Sequence, residues 1–305
     1  MTTTESRTPA HDPDPTAMPT ITTPIETNRP ETGPTETMTT TTSPASTQRT
    51  NRVRSINVIR SEWIKFWSVR STSITLIAAG LATIAFGMIF SAVAESEDQA
   101  GPAAFLTDPV DVALGGIGLS EMVIGVLGVM FVASEYSTGL IRTAFAAVGK
   151  RSRVISAKAA VLVAAVLSVG FVAVSGAIVL GQAVYAGSEE TVALTEVWDV
   201  AFGTTVYLTG IALIGLALGF ILRSTAAGIG TLVGGVFIGP NLLNLLPESI
   251  TDVFLKYLPS EAGSAMMTRV SDPDLLSRGA GYAVFTAWVV GLLGVAAVMT
   301  ARRDA

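Results

Sequence analysis

From Arg52 onward, apolar tracts alternate with short charged connectors on the length scale of a bilayer. Six tracts stand out, at 73–94, 113–133, 159–186, 201–222, 226–246 and 279–301. Each holds about the 20 helical residues needed to cross a bilayer. They are apolar throughout, whereas barrel strands would alternate apolar and polar positions over about ten residues. The pattern predicts an all-α, polytopic membrane domain over residues 52–305. Residues 1–51 are different. They are rich in Thr and Pro, with few aliphatic or aromatic side chains. Such a segment buries too little apolar surface to offset its ordering entropy, so a disordered tail is expected. A start at Met38 would be an alternative account of it, and the segment lacks the pattern of a signal peptide.

Composition narrows the function classes. Charged residues make up 14% of the 305-residue chain, hydrophobic residues 50%, and the mean hydropathy is +0.56. A net charge of −5 argues against nucleic acid as a partner, because a phosphate-binding surface needs a basic excess. No cysteine is present, which removes thiol chemistry and thiolate metal sites. The single histidine, His11, stands in the tail. Nothing points to an enzyme, a metal centre or a cofactor.

Lys and Arg fall unevenly between the two sides that six spans define. Thirteen lie on one side: Arg52, Arg54, Arg60, Lys65, Arg70, Arg142, Lys150, Arg151, Arg153, Lys158, Arg223, Arg302 and Arg303. Three lie on the other: Lys256, Arg269 and Arg278. We call these the basic end and the acidic end. The positive-inside rule makes the basic end cytoplasmic. Both termini are then expected in the cytoplasm of a cell whose plasma membrane holds the protein.

Two basic-end segments have helical periodicity. In 56–68, Ile56, Ile59, Trp63, Phe66 and Trp67 share one face, while Arg60, Glu62 and Lys65 fall largely elsewhere. An interfacial amphipathic helix is predicted, with Trp63, Lys65 and Trp67 as anchors to the lipid bilayer. In 134–158, Ser137 reads as an N-cap and Gly149 as a helix stop. Leu140, Ile141, Ala144, Phe145 and Val148 lie on one face between them. A short cytoplasmic helix with an open apolar face needs the membrane or a partner's groove to cover it.

Three strings, RSEWIKFWSVRST, VLGVMFVASEYSTGLIRTAFAAVGKRSRVISAK and GLALGFILRSTAAG, together resemble the ABC-2 type permease subunits of ABC transporters, especially actinobacterial ones. The resemblance covers residues 55–305. It implies a permease fold that pairs with a second permease subunit, as a homodimer or heterodimer, and exports substrate using a separate ATPase subunit. It also implies that 56–68 is a connecting helix and 137–148 a coupling helix. Glu135, Tyr136 and Arg142 are then expected near the ATPase contact, beside Leu140, Ile141 and Phe145. Relatives often carry Pro and a basic residue where this chain has Gly149 and Lys150.

The chain has no GxxxxGK[ST] phosphate loop, so it carries no ATP-driven motor of its own. Glu121 is the clear acid inside a span. A charge at the bilayer centre costs about 2.5–3.5 kcal/mol, which makes it a candidate intramembrane polar site. GxxxG spacings at Gly215/Gly219, Gly230/Gly234 and Gly235/Gly239 permit close helix approach. The segment 247–278, with Ile250, Val253, Phe254, Tyr257 and Leu258 on one face, predicts an amphipathic or re-entrant element. The competing functions are a motor-free secondary transporter, for which no internal repeat is found, and a membrane scaffold or sensor.

Overall fold

The computed structural model describes residues 55–95, 108–185, 194–243, 245, 247, 254–269 and 275–302. The tail at 1–51, Ile250 and Val253 lie outside them. Among the described residues every regular element is helical. These are α1 (Ser55–Ser68), α2 (Arg70–Glu95), α3 (Pro109–Ala113), α4 (Ile117–Ser137), α5 (Leu140–Val148), α6 (Arg151–Val184) and α7 (Leu194–Leu222). Next come α8 (Thr225–Leu232), a π-turn (Val233–Ile238), α9 (Gly239–Leu243), a 3₁₀ turn (Leu255–Tyr257), α10 (Pro259–Met267) and α11 (Arg278–Arg302). Six helical stretches are long and apolar enough to cross a membrane: α2, α4, α6, α7, the α8-to-α9 run and α11. They correspond one to one with the six apolar tracts, so the chain is a multi-pass membrane protein.

The fifth span stays helical through its π-turn for an identifiable reason. Pro240 has no N–H to bond back to Val236, and its ring would clash with that carbonyl. Widening the preceding turn relieves the conflict.

α7 is the central span, the most deeply buried of the six, with α4, α6, α10 and α11 packed around it. Backbone approach explains the α4–α7 contact. A Cβ at Gly128 would collide with the Ala212 carbonyl, one at Gly215 with the Gly125 carbonyl, and one at Gly219 with the Val129 carbonyl. Gly215/Gly219 therefore packs the chain onto itself. Gly230, Gly234 and Gly235 face open space instead.

The two spans that begin furthest ahead of their apolar tracts are α6 at Arg151 and α7 at Leu194. In both, the helix extends through charged residues ahead of the apolar tract. The second span begins later, at Ile117, because a separate short helix precedes it. Asp108 caps α3 by accepting from Val110 N at 2.8 Å, and Pro109 opens it. Gly115 and Gly116 then let the rings of Phe90 and Phe86 close on the backbone.

Within 247–278 the described helix is α10, which packs against α7 and α11. Gly263 lies against Tyr207, thirteen residues into α7, and Trp288 Nε1 on α11 donates to the Tyr257 carbonyl at 2.9 Å. Ala262 and Met266 are fully buried beside α7 and α11. Arg278 Nη2 donates to the Thr268 carbonyl at 2.9 Å, which holds the other end of α10 at the start of α11. The element thus lies alongside the spans rather than on their tips.

Candidate functional site at the basic end

α1 lies against α6, and its buried stripe is Val58, Glu62 and Phe66. Ile56, Trp63 and Trp67 point outward, where lipid or water meets them, and Lys65 is part-buried. The sequence-predicted face is therefore corrected: Glu62, assigned to the polar side, is buried. It is buried because it has a partner. Lys158 Nζ donates to Glu62 Oε2 at 2.7 Å and to Glu135 Oε1 at 2.5 Å. Lys65 also donates to Glu135 Oε1. Lys158 is 0% exposed, and the Glu62 and Glu135 side chains only 8% and 5%.

Three helices thus meet in a balanced cluster of two ammonium and two carboxylate groups. Phe131 walls it, with Lys158 Nζ 4.5 Å from the ring centroid and Phe66 edge-on to the same ring at 5.3 Å. Taking such charges out of water costs several kcal/mol per ion, which mutual attraction offsets only with good geometry. Glu135 Oε2 is buried with no hydrogen-bond partner, so the cluster is not fully satisfied.

α5 follows directly. Residues Thr138 and Gly139 break the chain from α4, and Gly139 and Gly149 bracket α5 at φ 73° and 70°. At Gly149 the Phe145 carbonyl accepts from the backbone N–H, the expected left-handed helix stop. Ser137 is not the N-cap. It ends α4, and its hydroxyl donates to the Ser134 carbonyl at 2.8 Å. A second correction concerns the apolar face. Ile141 and Phe145 are buried within this chain, and Ala144 and Val148 are part-buried, so no outside groove is needed to cover them. The outward surface of α5 is Leu140, 50% exposed, with Arg142, Thr143, Ala146 and Ala147.

Tyr136 is part-buried, its ring edge-on to Phe220 and beneath the Arg223 guanidinium at 5.3 Å. Arg223 sits in the α7–α8 turn at φ 53°, where glycine is the usual occupant. Arg151 Nη1 donates to the Thr300 carbonyl at 2.8 Å, and its guanidinium lies 5.8 Å from the Phe145 ring. The end of α11 is thereby tied to α5 and α6.

Of the sequence-predicted residues, the structure groups Glu135 and Lys65 in the charge cluster and Tyr136, Ile141 and Phe145 in the packing above it. Leu140 and Arg142 stand outside, as do Trp63 and Trp67. Glu62 and Lys158 were missed as site residues. Their available signal was the unbroken helical run from Arg151 into the third tract, which places Lys158 in the second turn of α6.

Glu121 lies far from this site, buried in α4 near the acidic end. The Tyr207 hydroxyl donates to its Oε1, and Tyr207 packs on Phe285 with ring centroids 5.1 Å apart. No His, Cys, Asp or Glu group of metal-binding size occurs among the described residues. Compared with known proteins, the chain matches no family model and none of the curated proteins.

Proposed function

We propose that this chain is the membrane-spanning permease subunit of an ATP-driven exporter, powered by a separate ATPase subunit. The observation that carries the reading is α5. It is a nine-residue helix held between two left-handed glycines at the basic end, seated on the chain by one face and presenting Leu140 and Arg142 with the other. A helix of that form is a handle, rigidly seated on its inner side and free to be gripped on its outer side. Its seat leads to α6, and the charge cluster leads on from α4 and α6 to α1. Movement of α5 by an ATPase would therefore move α1, α4 and α6 as a block, and α2 with α1. The basic end is cytoplasmic in this reading, the membrane is the plasma membrane, and a second permease subunit completes the transport path.

The test uses residues that do not hold the fold together. Leu140→Asp with Arg142→Glu changes the outward surface of α5 and leaves the buried Ile141 and Phe145 in place. Copurification with the cognate ATPase subunit that this reading requires, and hydrolysis stimulated by the assembled complex, should fall at least about tenfold, as expected when a central interface contact is lost. Ser152→Asp with Ser156→Asp changes nearby exposed charge and should have little effect. Full copurification and stimulation by the α5 variant would overturn the reading. It would then favour a motor-free transporter using the buried Glu121–Tyr207 pair.

A further inference from the structure

We infer that a groove between α2 and α4 holds a single acyl chain of a lipid-like amphiphile, which names a substrate class for the proposed exporter and rests on that reading. The groove has a volume of about 210 Å³. Ser71, Thr72 and Thr75 line it from α2, and Met122, Val123, Val126, Leu127 and Met130 from α4.

Its chemistry is graded. The three hydroxyls fall within about one turn of α2, close to the basic end, whereas the apolar wall of α4 runs from Met122 to Met130, about 12 Å at 1.5 Å per residue. Thr83 Oγ1 and Ser120 Oγ, hydrogen-bonded at 2.6 Å, fix the antiparallel register of the two helices. The hydroxyl-bearing residues therefore lie opposite the Met130 part of the wall, and only apolar residues line the Met122 part.

Among the described residues no hydrogen bond claims the hydroxyls of Ser71, Thr72 or Thr75. Ser73, which does not line the groove, turns its hydroxyl back to the Val69 and Arg70 carbonyls. The walls thus offer both donors and acceptors at one end and only aliphatic and thioether surface at the other. That sequence of surfaces complements a molecule with an ester, carboxyl or phosphate oxygen at its head and methylenes behind it.

Size selects within that class. At about 210 Å³ the groove falls below the roughly 300–1,000 Å³ of pockets that enclose drug-sized ligands, which favours a narrow chain over a fused-ring molecule. A narrow chain fits. Met122 and Met130 bring flexible thioether side chains, which adapt to chains of differing length and unsaturation.

The chain alone, purified into nanodiscs of neutral diacyl lipid, tests the inference without any ATPase. A fatty acid carrying a photoreactive diazirine on its tail is the probe. We expect labelling of α4 peptides containing Met122 to Met130. Val126→Trp fills the groove and should abolish it. Thr72→Val with Thr75→Val keeps the side-chain volume but removes two hydroxyls. It should weaken labelling by about fivefold per lost hydrogen bond. Competition by a monoacyl phospholipid but not by its headgroup alone is also expected.

Labelling unchanged by Val126→Trp or by the valine pair would overturn the inference, since the probe would then be sampling bulk membrane. So would efficient disulfide dimers of Met130→Cys in the otherwise cysteine-free chain, because a second copy would then occupy the groove. The readout is independent of α5. No labelling of the wild-type chain with normal ATPase coupling rejects the substrate class alone, and wild-type labelling without coupling rejects the exporter reading alone.

Discussion

The two ends of the molecule use ion pairs in opposite ways. At the basic end, Lys158, Glu62 and Glu135 are shut away from solvent, with Lys65 at their edge. At the acidic end, Arg269 bridges Asp108 at 2.7 Å and Glu196 at 2.8 Å, yet Arg269 is 24% and Glu196 51% exposed. The distances are alike and the surroundings are not. An exposed pair exchanges water for a partner at nearly equal free energy, so it contributes about 0–1 kcal/mol. A buried cluster has given up its water, and each member depends on the others. The acidic end is clipped together. The basic end is keyed, because α1, α4 and α6 can approach only in the register that pairs all four charges.

The largest effect should therefore come from Lys158. Lys158→Met leaves Glu62 and Glu135 buried without their shared cation, and should cost about 3–5 kcal/mol. The measurement is the fraction of detergent-solubilised protein that stays monodisperse after heating. Adding Glu62→Gln and Glu135→Gln to the same chain removes the stranded charges and should restore most of that loss. A triple variant as unstable as the single would mean that the cluster stabilises the fold outright instead of setting its register.

This contrast also separates what was legible in the sequence from what was not. The six spans were legible because continuous apolar tracts of bilayer length have few alternative folds. Gly149 was legible as a helix stop, since a left-handed backbone is a local requirement of one residue. Glu62 was not. Periodicity assigns a charged side chain to the polar face, and only its pairing with Lys158, ninety-six residues away, reverses the assignment. The face of α5 was misjudged for a related reason. An amphipathic pattern shows that a face is covered, but not whether the cover comes from the same chain. Tyr207 escaped notice as the partner of Glu121 because it is one tyrosine in an apolar span, with nothing local to distinguish it.

Glu121 and Tyr207 give the next effect, since they are buried like the basic cluster but form a single hydrogen-bonded pair in the acidic half. Tyr207→Phe preserves the ring against Phe285 and Gly263 while depriving the carboxyl of its donor. The expected loss is about 1–3 kcal/mol, the cost of an unsatisfied buried polar group. In a double-mutant cycle with Glu121→Leu, the two changes should be strongly non-additive. Simple additivity would show that the pair does not act as a unit. Arg269→Ala should cost less, about 0.2–1 kcal/mol, and the loss should shrink further as salt is raised. A loss matching that of Lys158→Met would remove the distinction between the two ends.

The smallest effect is a pH dependence confined to the acidic end. Asp111, on α3 outside the spans, has its pKa raised above 3.8, first by burial and then by the neighbouring Asp108 carboxylate, while Arg269 pulls the other way. A raised carboxyl holds its proton more tightly in the folded chain than in the unfolded one. The folded state therefore binds more protons in the window above 3.8, and stability must fall as pH rises through it. Most paired carboxylates have the opposite sign. Asp111→Asn mimics the protonated group at every pH. Heat stability of wild type and variant should coincide below pH 3.8 and diverge above it, with the asparagine chain the more stable at neutral pH. Wild type more stable than the variant at neutral pH would show that Arg269 outweighs burial at this position, making the acidic end more tightly keyed than its exposure implies.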